Sequence, residues 1–154
     1  TLLNNYFECT AGPLMEEGGQ VLSFIGDAVL GIFPVCKTGF NETEASERAY
    51  RAMQISQSMR GKMPKELNYG IALHFGDVMF GNIGVPNRLS FSVIGSTVNE
   101  VSRLESLTKD LNQAVLVTEQ FAKHLDRDWL AMGEHQLRGV SRPIIAFAPP
   151  NLKR

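Results

Sequence analysis

The stretch that most restricts how this chain can fold is Gly18-Gly19-Gln20-Val21-Leu22-Ser23-Phe24-Ile25-Gly26-Asp27-Ala28-Val29-Leu30-Gly31-Ile32-Phe33. Residues 20–25 and 28–34 are apolar, partly β-branched runs with only Gly26-Asp27 between them. A two-residue loop with Gly first suits a type II′ hairpin, so the pattern predicts two antiparallel strands with a carboxylate at their tip. A tip pinned on a rigid sheet can hold Asp27 toward Mg²⁺, an ion that takes a carboxylate or two and completes its shell from substrate phosphates. The plainer alternative is that Gly-Asp is simply a good turn dipeptide.

Around this hairpin the punctuation predicts an α+β pattern, with helices packed on a sheet made largely of hairpins. Leu2, Leu3, Tyr6, Phe7, Leu14 and Met15 fall at helical spacing, so residues 1–17 form an amphipathic helix, with a break or kink expected near Ala11 because Pro13 removes a hydrogen bond. A helix from about Glu42 to Lys62 follows, with Asn41 as N-cap, Glu44 at the capping-box position, and Ala45, Ala49, Ala52, Met53, Ile55 and Met59 on its apolar side. Residues 67–75 and 77–84 read as a second hairpin turning at Gly76-Asp77, and Val85-Pro86-Asn87-Arg88 as a loop. Residues 89–94 extend to Gly95, and Ser96 or Thr97 can cap a helix running to about Lys109. A strand at 114–117, a short helix at 119–125 and strands near 129–137 and 144–148 complete the order.

Within Phe91-Ser92-Val93-Ile94-Gly95-Ser96-Thr97-Val98-Asn99-Glu100-Val101-Ser102-Arg103, Asn99 and Arg103 stand four residues apart and share one helix face. Val98, Val101, Leu104 and Leu107 supply the buried side. Arg is the side chain best shaped for phosphate oxygens, and Asn can orient a ribose hydroxyl or the arginine itself. The alternative is a solvated face on which Arg103 pairs with Glu100 or Glu105. His74, His124 and His135 lack metal-ligand spacing and read as strand or surface histidines, and Asp77 as a structural turn residue. Gly81-Asn82-Ile83-Gly84 has no strand-to-helix context and gives no reason to invoke a dinucleotide.

Bulk properties limit the partners. The 154 residues suit one domain, residues 1–154, and their 44% hydrophobic and 20% charged composition is that of an ordinary globular protein. A net charge of −1 gives no support to bulk binding of nucleic acid, so phosphate binding must be local. Cys9 and Cys36 are too few for a disulfide framework or zinc site; they read as free thiols in a reducing, cytoplasmic setting. No apolar run approaches the roughly 20 residues of a membrane helix. The start has neither an initiator Met nor the regions of a signal peptide, and the chain reads as a piece of something longer, whose parent could still be membrane-anchored.

The segments Gly-Gly-x-Val-x-x-Phe-Ile-Gly-Asp-Ala-Val-Leu, Gly-Ile-Ala-Leu-His-x-Gly-Asp-Val, Gly-Asn-Ile-Gly and Val-Ile-Gly-x-Thr-Val-Asn-x-x-Ser-Arg-Leu-Glu, in that order, resemble the class III adenylate and guanylate cyclase catalytic domain from about Leu2 to Ala148. The resemblance implies a ferredoxin-like nucleotide cyclase fold, a largely antiparallel sheet with helices packed on it. It implies conversion of a nucleoside triphosphate, ATP before GTP, to its 3′,5′-cyclic monophosphate and pyrophosphate, with two divalent cations, Mg²⁺ or Mn²⁺. Asp27 matches the second metal-binding aspartate, Asn99 the ribose-orienting asparagine and Arg103 the arginine that stabilises transition-state charge. The resemblance also implies a head-to-tail homodimer and regulatory domains in a longer parent.

The chain departs from that pattern in three places. The family carries its first metal-binding aspartate on a strand before the opening helix, where this chain begins. A single carboxylate is a poor anchor for two metal ions, so the 154 residues alone are expected to turn over little or not at all. Ser23 stands where adenylate cyclases carry a purine-reading Lys, and Ser92 where they carry Asp or Thr; hydroxyls can still donate and accept, but adenine recognition weakens. The Glu and Cys pair expected for guanine is absent from both positions. Arg138 stands where a phosphate-binding Lys is expected. The alternatives to an adenylate cyclase are a catalytically degenerate nucleotide-binding or dimerisation module, and a guanylate cyclase.

Overall fold

A computed structural model describes the backbone of residues 2–25, 28–77, 79–82, 91–94, 96–152 and 154, and their side chains except at 2–3, 24–25, 79–82 and 91–94. The element order is α1 (Leu2–Glu16), β1 (Gln20–Ile25), β2 (Ala28–Ile32), α2 (Glu42–Arg60), β3 (Ile71–Leu73), β4 (Met79–Asn82), β5 (Phe91–Ile94), α3 (Ser96–Asp110), β6 (Val115–Thr118), α4 (Glu119–Ala122), β7 (Leu130–His135) and β8 (Ile144–Ala148). The chain divides into two units, residues 1–69 and 70–154.

In the first unit α1 continues through Pro13 without the expected break. Proline costs the Cys9 carbonyl its intrahelical donor, but the turn beyond still closes, with the Glu17 N–H donating to the Pro13 carbonyl at 3.1 Å. Pro13 is buried, so packing offsets the single missing bond. The helix then stops as Gly18-Gly19 requires. Gly18 takes φ +94°, the left-handed conformation that glycine adopts at least cost. Its N–H bonds the Met15 carbonyl and that of Gly19 bonds the Leu14 carbonyl, a Schellman ending.

Strands β1 and β2 are antiparallel, with Ile25 opposite Ala28 and a bulge between Val21 and Ser23. The antiparallel pairing is as read from the sequence; the Gly26-Asp27 tip, and with it the expected type II′ turn, lies outside the described residues. Asn41 caps α2, its side-chain oxygen accepting from the Glu44 N–H at 2.8 Å. The buried face of α2 is Ala45, Ser46, Tyr50, Ala52, Met53 and Ser56, whereas Ala49, Ile55 and Met59 of the expected apolar side are only partly buried. Ser56 points inward because its hydroxyl shares a 2.8 Å hydrogen bond with the buried Tyr69 hydroxyl.

In the second unit the expected hairpin at Gly76-Asp77 is not formed among the described residues. Strand β3 pairs in parallel with β6, Ile71 opposite Val115, and β4 pairs antiparallel with β5, Gly81 opposite Ser92. Gly76 instead sits under α3, where a Cβ would lie 2.9 Å from Thr97 Oγ1. A four-stranded sheet of order β3-β6-β8-β7 results, antiparallel except for β3 and β6. On it Leu104 and Leu107 of α3 pack with Leu116, Val140, Ile144, Ala146 and Ala148. Val98 and Val101, expected on the same buried side, are only partly buried. Helix α3 begins at Ser96, so Ser96 lies inside the helix and Thr97 is not its cap: the Thr97 hydroxyl donates to the Asp77 carbonyl. Thr118 caps α4, its hydroxyl accepting from the Phe121 N–H at 3.3 Å. No described helix is long and apolar enough to cross a membrane.

Candidate functional site

Helix α3 carries the two groups best suited to a nucleotide. Its core stripe, Leu104 and Leu107, faces the sheet, which leaves Asn99 and Arg103 one turn apart on the flank. Asn99 donates through Nδ2 to the Gly139 carbonyl at 2.6 Å. Gly139 has φ +76°, so the loop between β7 and β8 turns back in a conformation that favours glycine, and its carbonyl meets the helix there. That bond brings the backbone of Arg138-Gly139 to the side chain of Asn99. With Nδ2 engaged, the Asn99 amide oxygen is the atom left to accept from a ligand hydroxyl. Arg103 and Arg138 are both exposed, as side chains addressing a soluble anion must be.

The other sequence candidates fall elsewhere. Ser23 lies in the first unit, half-buried on β1 opposite Leu30. Asp27 belongs to the same unit and lies outside the described residues, and Ser92 is placed only by its backbone on β5 opposite Gly81. Among the described residues no three His, Cys, Asp or Glu side chains converge to hold a metal ion. Neither thiol is in a disulfide, and burial pushes the Cys9 thiol up, away from nucleophilic use.

Sequence reasoning missed His74. It follows β3, and its side chain is only 4% exposed, with Nε2 2.7 Å from Glu100 Oε2 and Nδ1 2.8 Å from Thr118 Oγ1. Glu100 therefore faces His74, contrary to the alternative in which it pairs with Arg103. Burial pushes the imidazole below its ordinary value; the Glu100 carboxylate opposes this and the Arg142 charge adds to it. A neutral ring has one donor and one acceptor. Glu100 can only accept, so Nε2 carries the proton and Nδ1 accepts from the Thr118 hydroxyl, which itself accepts from the Phe121 N–H. One signal in the sequence could have found the pair: Glu100 precedes Leu104 by four residues and Leu107 by seven, which puts a carboxylate on the apolar stripe.

Comparison with known proteins identifies the family. The profile of the family described as adenylate and guanylate cyclase catalytic domain covers residues 1–147. The chain belongs to that family. It is 33% identical to an adenylate cyclase of Anabaena cylindrica over 128 residues, 80% of this chain and 25% of the relative. It is 32% identical to an uncharacterised protein of Mycobacterium tuberculosis over 152 residues, 96% of this chain and 26% of that protein. The structure of a bacterial light-regulated adenylyl cyclase superposes with a TM-score of 0.78 at 26% identity, over 99% of this chain and 45% of that one. The α+β nucleotide cyclase fold is thus established, and the chain spans about a quarter of the length of these two relatives.

Proposed function

We propose that this cyclase catalytic domain acts on ATP, forming 3′,5′-cyclic AMP and pyrophosphate. The ribose 3′-hydroxyl loses its proton and its oxygen attacks the α-phosphorus in line. The bond from that phosphorus to the oxygen bridging to the β-phosphate breaks, and pyrophosphate leaves. The observation that carries this reading is the grouping of Asn99, Arg103 and the Arg138-Gly139 loop around one bond, Asn99 Nδ2 to the Gly139 carbonyl. Held by that bond, Asn99 presents its oxygen to a ribose hydroxyl and so orients the attack. Arg103 follows one turn on, where a planar guanidinium can meet the charge that builds on the α-phosphate oxygens. Arg138 takes the remaining phosphates. Two divalent cations, Mg²⁺ or Mn²⁺, would neutralise phosphate charge and activate the attacking oxygen, with Asp27 the residue of this chain assigned to them.

Ser23 and Ser92 are assigned to the purine, each hydroxyl able to donate or accept at the base edge. A head-to-tail homodimer, regulatory domains in a longer parent and a cytoplasmic position belong to the same proposal; that the match covers only 25% and 26% of the two relatives supports the second.

The test takes the chain together with any sequence encoded upstream of Thr1, with Mn²⁺ and ATP. Cyclic AMP is expected, and Asp27→Ala should abolish it; no product, or an unchanged rate in Asp27→Ala, overturns the reading. GTP run in parallel decides the base: faster GTP turnover makes this a guanylate cyclase. Saturable ATP binding by calorimetry without turnover makes it a degenerate nucleotide-binding module, the reading favoured by the serines at positions 23 and 92.

A further inference from the structure

We infer that His74 is a positioning residue for the catalytic helix: through Glu100 and Thr118 it fixes the turn of α3 that carries Asn99 and leads to Arg103. The inference rests on the cyclase reading above. A carboxylate on the core stripe of a helix needs a partner, because burying a charge is costly unless it is hydrogen-bonded. Glu100 is 14% exposed, and its Oε2 takes the Nε2–H of His74 at 2.7 Å. The ring's other nitrogen is held by Thr118, which is fully buried at the end of β6. The imidazole therefore cannot swing without breaking a bond on each side. It links α3 to the residue after β3, to the end of β6 and to the first turn of α4.

The two ends of α3 are held differently. Beyond Leu104 the helix is held by apolar contacts and by Thr108, whose hydroxyl donates to the Glu105 carbonyl and accepts from Arg154. The first turns are held by polar ties: Thr97 to the Asp77 carbonyl, Asn99 to the Gly139 carbonyl and Glu100 to His74. Asn99 and Gly139 are both at the surface, where water competes for their bond, whereas His74 and Thr118 are shielded. The His74 tie is therefore the one that fixes the helix end against the sheet. Losing it leaves the apolar anchor intact and lets the catalytic turn drift. A displacement of about 1 Å at reacting groups can cost on the order of a hundredfold in rate.

The experiment compares His74→Phe, Glu100→Ala and Glu100→Gln with the parent protein. Glu100→Gln keeps an acceptor for the Nε2–H, so it separates the hydrogen bond from the charge. His74→Phe and Glu100→Ala are expected to lower kcat tenfold or more with KM changed less than threefold, since Asn99 and Arg103 act in the transition state. Glu100→Gln should recover most of the rate, and the double variant His74→Phe with Glu100→Ala should be no worse than the poorer single one. In nitrogen NMR His74 should be the Nε2–H tautomer, and both disruptive variants should shift the Asn99 side-chain amide resonance. Rates that fall only with the folded fraction, Glu100→Gln as impaired as Glu100→Ala, or an Nδ1–H tautomer each overturn the inference. If the parent turns over neither ATP nor GTP, the cyclase reading fails while the two NMR readings still decide whether His74 positions the helix.

Discussion

Asn99→Ala separates what this side chain does for the fold from what it does for chemistry. The substitution removes one bond of 2.6 Å between Nδ2 and the Gly139 carbonyl, and with it the amide oxygen assigned to ribose. Gly139 keeps its own φ of +76° without that bond, and its carbonyl is near enough to the surface for water to replace the lost donor. The stability cost is then that of one net hydrogen bond, about 0.5–1.5 kcal/mol. For a unit the size of residues 70–154, about 1 kcal/mol moves the melting midpoint by roughly 4–8 °C. The catalytic cost is larger, because a positioned polar group at a developing charge is worth about 2.7–4 kcal/mol, a loss of roughly 10²–10³ in kcat. Thermal melts and initial rates of cyclic nucleotide formation, taken at a temperature where both proteins are folded, read the two costs apart. A variant that loses stability as stated but keeps its rate within threefold of the parent would refute the assignment of Asn99 to the reaction.

The remaining expectations test the site and both units. Arg103→Lys keeps the charge but loses the planar fork, so kcat should fall by about tenfold or more; because Arg103 is exposed, the melting curve should not move. Acid should destabilise the second unit through His74, which Glu100 and Arg142 face: its folded value lies below the ordinary 6.5. Below that value the unfolded chain binds the extra proton, so stability falls with pH by at most about 1.4 kcal/mol per pH unit. Urea titrations between pH 7 and 5 should show that slope, flattened in His74→Gln. Alkali acts on the first unit in the opposite sense: burial pushes Tyr69 from 10.0 up to about 12. Stability is whole below pH 10 and is lost as pH rises toward 12, by no more than about 2.7 kcal/mol, a loss Tyr69→Phe should remove from chemical denaturation curves. Leu104→Ala opens a cavity at a fully buried position; a cost of about 2–5 kcal/mol is expected in urea denaturation.

The parts of the fold that the sequence announces are those fixed by local chemistry. Asn41 with Glu44 marks the start of α2, Gly18 the end of α1, and the two apolar runs around Gly26-Asp27 the pairing of β1 with β2. Each is decided by residues within a few positions of one another. The readings that failed depended on distant residues. Gly76-Asp77 has the composition of a hairpin turn, but β3 finds its partner in β6, more than forty residues on, and the glycine serves the close approach of α3. Pro13 should break or kink a helix near Ala11, yet α1 runs through it with the proline buried. Val98 and Val101 belong to the expected buried side of α3, yet they are only partly buried, because how deep a helix face sits depends on what packs over it.

The site divides along the same line. Asn99 and Arg103 are legible together because helical spacing alone puts them on one face. Family resemblance can propose Arg138 but cannot say what holds its loop; that is the Gly139 carbonyl, reached from Asn99 across forty positions. His74 is the limiting case. Its partners lie 26 and 44 positions away, on a helix that looks charged and a strand that looks apolar, so neither neighbourhood advertises a polar network. What the network selects against is water. A hydrated Glu100 would let the first turns of α3 move as a surface helix moves, whereas a carboxylate bonded to a shielded imidazole keeps them registered to the sheet. On the proposal made above, the motif on α3 is not self-sufficient: the turn that carries Asn99 and leads to Arg103 is registered by His74 through Glu100.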